Sequence, residues 1–365
     1  MNLNLRPLIF KRLTSSFIPR FEFPKYNVPL SDFKGHQVKA LKKFQYLAPQ
    51  LNMVVELRDL RAPLSTRNVL FDKFFLSGNE KIKRLIVYTK KDMMPQNKEL
   101  LNTLTRWHKE LNEDFIILDS KSPSDAKNLL KILQWESDKL LNDSVPLPMG
   151  YRVLVSGMPN VGKSTLVNSL RYINYGKKTE NTKRRKVSKT GNEAGVTRST
   201  SEIIKISKED SQQGIYLIDS PGIGLPGRVS SQSRMLAQAL CGCVKETLID
   251  PVAQADYLLF LMNLQKPKNN VPWYPEFDTK PTNDIYSIFR RLFDMKKTSD
   301  TTAAISWINQ WKRKGKNILF DVEPLLQPNE FSYKKYLLDD LKKIESYKLE
   351  NDKLNILGSA KQLFL

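Results

Sequence analysis

Ten residues near the middle of the chain constrain its fold more than any other stretch: Gly157-Met158-Pro159-Asn160-Val161-Gly162-Lys163-Ser164-Thr165-Leu166. They fit G-x-x-x-x-G-K-[ST], with an apolar run, Val153-Leu154-Val155, leading in and Val167-Asn168-Ser169-Leu170 continuing as helix. The glycines let the backbone turn its N–H groups inward on a phosphate, and the helix N-terminus adds its positive end. The loop from Asn160 through Val161, Gly162 and Thr165 then cradles a nucleotide. Lys163 is placed for the β- and γ-phosphates and Ser164 for Mg²⁺. An α/β fold with a strand–loop–helix unit at this point is required.

Charge narrows the partner. The 365 residues carry a formal net charge of +21, with 40% hydrophobic and 27% charged residues. That is a globular composition with room for two domains and an excess suited to a polyanion or an anionic membrane surface. The only cysteines, Cys241 and Cys243, lie two apart in a stretch read as helical, which suits neither a disulfide framework nor a zinc site. No apolar run approaches the roughly 20 residues that span a bilayer.

Residues 1–21 contain Arg6, Lys11, Arg12 and Arg20 among Leu, Ile and Phe, with no acidic residue before Glu22. This is the profile of a mitochondrial presequence, so the fold is expected to begin between Phe21 and Leu30. Phe33-Lys34-Gly35-His36-Gln37 follows, then Val38, Leu41 and Phe44 at helical spacing among lysines: a short basic amphipathic helix with His36 at its mouth. On the pattern alone, His36 reads as a cap or surface residue.

Three buried-strand candidates come next, Met53–Leu57, Leu85–Tyr88 and Phe115–Leu118, alternating with amphipathic helical stretches around 97–111 and 124–140. This spacing suits a parallel sheet. The second strand runs into Thr89-Lys90-Lys91-Asp92, and a carboxylate there can accept from guanine N1–H and the N2 amine, a donor pair that adenine lacks. Asp92 takes that role, the stem of Lys90 lies along the base, and Ser120-Lys121 after the third strand brings a backbone N–H near guanine O6. An adenine-specific ATPase is disfavoured.

Beyond the phosphate loop, Lys177 to Lys205 holds nine basic residues against three acidic, including Lys183, Arg184, Arg185 and Lys186. Within it Thr197 is positioned to complete a Mg²⁺ shell. Strands are expected at Glu202–Ile206, Gly214–Ile218 and Tyr257–Met262. The second of these ends in Asp219-Ser220-Pro221-Gly222, where Asp219 would hold a Mg²⁺-bound water and the Gly222 N–H would sense a γ-phosphate. Specificity loops here precede the phosphate loop, the reverse of the usual order. The same sheet results if the chain is cut after its third strand and the halves exchanged, with the join at Asn142–Gly150. Pro267–Pro281 reads as a linker, and helices are expected at 283–294, 301–314 and 331–349. Ile285, Ile288, Phe289 and Leu292 form the core side of the first, and Ala304, Ile305, Ile308 and Trp311 that of the second. Lys312, Arg313, Lys314 and Lys316 give this region a basic, RNA-facing surface.

The order T-K-K-D, D-S-K, G-x-P-N-V-G-K-S, G-V-T, D-S-P-G, preceded by E-L-R-D-x-R-x-P, resembles the circularly permuted GTPases of ribosome assembly, in the YlqF/RbgA-type branch and its mitochondrial, fungal-type members. The resemblance covers roughly residues 30–320 and implies late assembly of the large ribosomal subunit, with the C-terminal helical part and basic surfaces on rRNA. The family's Phe-x-Gly-His segment matches Phe33 to His36, which makes His36 a candidate for activating hydrolysis. The family's P-loop asparagine, linked to K⁺-dependent hydrolysis, matches Asn160. Its G-K-x-G-like turn is approximated by Lys314-Gly315-Lys316-Asn317, with Asn317 where a second glycine is expected. Thr89 stands where many relatives have asparagine. Ile223 follows the D-x-x-G segment where signalling GTPases carry a water-orienting glutamine.

The expected architecture is therefore an α/β P-loop GTPase domain of circularly permuted motif order, mostly parallel in its sheet, over 22–265, followed by a small all-helical domain over 266–365. The expected activity is GTP hydrolysis, with GTP as substrate, GDP as product, and Mg²⁺ and K⁺ as cofactors. Catalysis is assigned to His36, Lys163 and Gly222, in a monomer acting on the mitochondrial large subunit and its rRNA. The rival reading is a GTP-dependent switch recruiting proteins at the matrix face of the inner membrane; peripheral membrane association suits either.

Overall fold

A computed structural model describes residues 17–33, 35–76, 81–94, 98–143, 147–175, 203–206, 214–265, 281–314, 317–326 and 330–350. In chain order the elements are α1 (Gly35–Leu47), β1 (Met53–Asp59), α2 (Val69–Leu76), β2 (Lys83–Thr89), α3 (Lys98–Leu111), β3 (Asp114–Ile117), α4 (Pro123–Asn142), β4 (Tyr151–Gly157) and α5 (Lys163–Tyr175). Then come β5 (Ile203–Lys205), β6 (Ile215–Asp219), α6 (Gln232–Cys241), α7 (Pro251–Leu264), α8 (Ile285–Leu292), α9 (Asp300–Lys314), α10 (Glu323–Leu326) and α11 (Tyr333–Glu350).

The strands form one sheet in the order β3-β2-β1-β4-β6-β5. All pairs are parallel except β5 with β6, which is antiparallel. Parallel strands covered on both faces become near-continuous apolar runs, and β1 and β4 are buried almost throughout. The motif-bearing loops therefore share one edge, beyond the carboxyl ends of β1, β2, β3, β4 and β6, where open α/β sheets hold their ligands. This is the sheet expected from exchanging the two halves of the chain.

Charged residues inside β1 are compensated. Arg58 donates through Nε to Glu56 Oε1 at 2.7 Å and through a terminal nitrogen to the Tyr333 hydroxyl at 2.9 Å. Arg84 reaches both Glu56, through Nε at 2.9 Å, and Asp72 at 2.8 Å. Arg67 pairs with Asp72 at 2.6 Å. On the far side Arg234 bonds the Val229 carbonyl, the Tyr336 hydroxyl and Asp340. Tyr333, Tyr336 and Asp340 belong to α11, so the C-terminal helix is tied by buried polar contacts to β1 and to the chain just after the D-x-x-G loop. Removing one partner of such a buried pair costs about 3–5 kcal/mol, because the other charge is stranded.

Four sequence expectations change. Tyr257–Met262 is not a strand but the interior of α7. A helix buried on all sides shows an unbroken apolar run, which periodicity cannot distinguish from a buried strand. The helix start was legible in Asp250-Pro251, whose aspartate accepts from the Val252 N–H at 3.0 Å with proline at the first helical position. Ile305 is not core-facing: it is 46% exposed, because the buried stripe of α9 runs Ala304, Trp307, Ile308, Trp311, and one further residue turns the side chain about 100° away. Cys243 lies beyond α6, whose end is set by Gly242 at φ 73°. The body begins before Phe21: Arg20 grips Asp256 with two bonds of 3.1 and 2.6 Å, and the Ile18 carbonyl accepts from Asn283. Arg20 thus contributes a half-buried ion pair to the fold. The C-terminal part is helical as expected, and its Ile288, Phe289 and Trp307, with Phe320 after α9, share a continuous core with β1 and β4.

Candidate nucleotide-binding site

The phosphate loop has the backbone its glycines predict. Gly157 sits at φ 143°, where a Cβ would strike the Leu57 carbonyl at 2.4 Å, and Gly162 at φ 96°. Asn160 adopts φ 57°, a conformation asparagine tolerates, and its side-chain amide donates to the Gly242 carbonyl at 2.8 Å. The loop is thereby held to the end of α6. The Lys163 ammonium donates to the Gly157 and Met158 carbonyls of its own loop at 3.2 and 2.6 Å. Burial pushes its pKa down to about 8, against the opposing charge of Asp219 and the thiol of Cys243. Val161 is buried, and Thr165 opens α5 beside Ser164. The Ser164 hydroxyl lies 3.4 Å from Asp219 Oδ2, an aspartate with no exposed surface. A hydroxyl and a carboxylate so paired are the hard oxygen donors that Mg²⁺ takes.

The base end is built from three loops. The Thr89 hydroxyl donates to the Val161 carbonyl at 2.7 Å, joining the specificity loop to the phosphate loop. Threonine at this position therefore does structural work. Lys90, at φ 61°, places its ammonium 2.9 Å from Asp59 Oδ2. Asp92 is exposed on the turn that follows, as is Lys121, while Ser120 is buried. The Ser120 hydroxyl has no hydrogen-bond partner among the described residues and lies against Gly162. Buried hydroxyls are seldom left so, and an unsatisfied donor between phosphate loop and base loop fits a ligand at this point. The residues present thus fit a guanine nucleotide with Mg²⁺.

A layer beneath this site was not legible as functional. In Glu56-Leu57-Arg58-Asp59-Leu60-Arg61-Ala62-Pro63, burial raises the Asp59 pKa, but the charges of Arg61 and Lys90 outweigh it and hold the carboxyl well below the usual range. Arg61 binds Asp59 with bonds of 3.0 and 2.8 Å, so Asp59 aims Lys90 at the base site while Arg61 balances its charge. The strap after α9 crosses this layer. The Asn317 N–H donates to the Met93 carbonyl at 2.8 Å, the Phe320 N–H to the Arg61 carbonyl at 2.6 Å, and Asp321 accepts from Leu64 and Ser65 N–H groups. Asn317 stands at φ 60°, which explains why asparagine serves where glycine was expected. Lys312 is half-buried. Burial lowers its pKa, Glu246 opposes, and Arg61 and Lys90 lower it further. Arg313 beside it is exposed.

The D-x-x-G loop is clamped from two sides. Gly222 packs on Pro159 of the phosphate loop, where a Cβ would meet backbone at 2.6 Å. The Ile223 N–H donates to the Gly157 carbonyl at 3.2 Å. From α1, Gln37 Oε1 accepts the Gly224 N–H at 2.6 Å, and from the loop before α2, Asn68 donates to the Ile223 and Gly224 carbonyls at 2.9 and 3.1 Å. Ile223 is fully buried with Val38, Leu41 and Phe44 of α1, as their helical spacing foretold for those three. His36 is in the first turn of α1, directly before Gln37; its side chain lies outside the described residues, as do Thr197, Lys183, Arg184, Arg185, Lys186 and Lys316 and the side chain of Lys314.

Residues 152–291 match the family described as "50S ribosome-binding GTPase". The "Mitochondrial GTPase 1" of Saccharomyces cerevisiae is 53% identical over 353 residues, covering 96% of this chain and 96% of that one. The "Mitochondrial ribosome-associated GTPase 1" of Xenopus tropicalis is 30% identical over 267 residues, 71% of this chain and 78% of its own. Among solved structures, GNP-bound YlqF from T. maritima is 20% identical with a TM-score of 0.45, covering 78% of this chain and 99% of its own.

Proposed function

The chain belongs to the mitochondrial GTPase 1 family of circularly permuted GTPases and hydrolyses GTP; from that premise we propose that it is an assembly factor that binds the mitochondrial large ribosomal subunit through its rRNA. The observation that carries the reading is the D-x-x-G loop. Ile223 is wholly buried and has no group to orient water, so beyond Asp219 the loop offers the chemistry only a backbone N–H. Hydrolysis must then be completed by another element. Two elements outside the sheet bond this loop, the segment before α2 through Asn68 and α1 through Gln37, and α1 is the one that also carries a histidine.

Asp92 accepts the guanine donor pair, with Lys90 along the base and Ser120-Lys121 at the O6 edge. Lys163 leaves the Gly157 and Met158 carbonyls for the β- and γ-phosphates. Ser164 and Thr197 would hold Mg²⁺ and Asp219 one of its waters, at a place where the ion would offset phosphate charge. The Gly222 N–H faces the γ-phosphate, and Asn160, oriented by the Gly242 carbonyl, is the side chain suited to K⁺. His36 handles the proton of the attacking water, for which an imidazole nitrogen can act as acceptor. Loss of the γ-phosphate returns the loop to its bonds with Gln37 and Asn68, and its continuation through Arg234 to α11 carries the change to the C-terminal helices.

Mitochondrial GTPase names among the relatives support placement in the mitochondrion; the basic, acid-free residues 1–21 are the address, and the protein acts on the matrix side. A ribosome-associated relative supports a ribosomal partner, and the charge of +21 favours its RNA. Sedimentation of mitochondrial large-subunit particles with the protein tests this. Co-sedimentation with a non-hydrolysable GTP analogue, and release with GDP, is the expected result. Equal loss from the particles in both states, with retention on inner-membrane vesicles, would contradict it.

A further inference from the structure

α1 has two faces, and only the inner one has been accounted for. Val38, Leu41 and Phe44 are buried against Ile223, and Gln37 holds Gly224. The outer face presents Lys39, Lys42, Lys43 and Tyr46, all exposed, with the tyrosine 76% so. At about 100° per residue these four fall within one arc of roughly 100°. The helix GHQVKALKKFQYL contains no acidic residue. Among the described residues none of the three lysines has a carboxylate within ion-pair distance, whereas Lys83, Lys90 and Lys91 do. Like charges three and four residues apart weaken a helix slightly, and nothing within the described fold offsets them.

We infer that the outer face of α1 is a docking surface for an RNA backbone, the lysines on successive phosphates and Tyr46 against an unstacked base. The inference rests on the RNA-binding reading above and names where contact falls. Charge complementarity and the aromatic support RNA. A membrane is the poorer occupant, because an interfacial helix needs an exposed apolar face and that of α1 is buried in the core. The position gives the surface a consequence. RNA on the outer face lies one helix diameter, about 10 Å, from the loop that senses the γ-phosphate. Docking would therefore steady the helix that carries His36 and Gln37.

The test uses the full chain with K39Q, K42Q and K43Q combined, a second variant with Tyr46→Ala, and the three lysines changed to arginine as the charge-conserving control. The probe is in-vitro-transcribed mitochondrial large-subunit rRNA titrated across salt concentrations, with phosphatidylserine vesicles as a parallel arm. GDP affinity within about twofold of the unmodified protein shows that each variant is folded. The glutamine triple should lower the magnitude of the log K against log salt slope by about 2 to 3, the share of three phosphate contacts. The arginine triple should keep it, and Tyr46→Ala should weaken binding by about tenfold at constant slope. An unchanged slope in the glutamine triple overturns this surface while leaving RNA binding in place. Loss confined to vesicle binding overturns it in favour of lipid. Failure of the unmodified protein to bind the RNA overturns the RNA-binding reading itself.

Discussion

The two ends of the nucleotide site are prepared differently. At the base end, Asp92 and Lys121 stand exposed and Lys90 is already held by Asp59, so a guanine meets groups in place. At the phosphate end the groups are engaged with one another. Lys163 bonds the Gly157 and Met158 carbonyls, Gly222 lies on Pro159, and the Ile223–Gly224 segment is fixed by Gln37 and Asn68. Recognition of guanine asks little rearrangement, whereas sensing of the γ-phosphate requires existing bonds to be exchanged. A site built this way keeps affinity for the base through the cycle and confines the response to nucleotide state to one loop.

The sharpest way to separate the ends is Asp92→Asn. Losing a charged acceptor of two hydrogen bonds, each worth about 1.5–3 kcal/mol, should weaken GTP and GDP alike by about 10²- to 10⁴-fold. Xanthosine nucleotides should be favoured instead. A loss that falls on GTP and spares GDP in competition binding would erase the distinction drawn between the ends. Next in size is a pH effect at the phosphate end. Below pH 8 Lys163 already carries its proton, and nucleotide affinity should be flat. Above it the free protein loses that proton, while phosphate restores it in the complex, so affinity should fall by up to about tenfold per pH unit. A flat titration of GDP affinity from pH 7 to 9.5 would show that Lys163 is not the group whose bonds are exchanged.

Much of this was legible in the sequence, and the exceptions share a cause. The phosphate loop, Thr89-Lys90-Lys91-Asp92 and Asp219-Ser220-Pro221-Gly222 announce themselves because each motif is local and its spacing reflects its own backbone. Thr89 read only as a departure from the asparagine of many relatives, since nothing nearby in sequence reveals the Val161 carbonyl it binds. Gln37 and Asn68 hold groups 187 and 155 residues away, a relation that no local pattern encodes. α7 was mistaken for a strand because burial on every side removes the periodicity that separates helix from strand. The role of Arg20 was hidden by its neighbours: a basic, acid-free stretch looks the same whether or not its last arginine grips a buried aspartate.

The central claim is that the phosphate end is completed from α1 and not from its own loop. Single-turnover GTP hydrolysis with saturating large-subunit particles and K⁺ tests it most directly, with His36→Ala compared against Ile223→Val, a change small enough to leave the buried cluster folded. His36→Ala should retain GTP affinity within about threefold and lose roughly 10²-fold in the stimulated rate, while Ile223→Val stays close to the unmodified protein. Hydrolysis by His36→Ala at the unmodified rate would contradict the account.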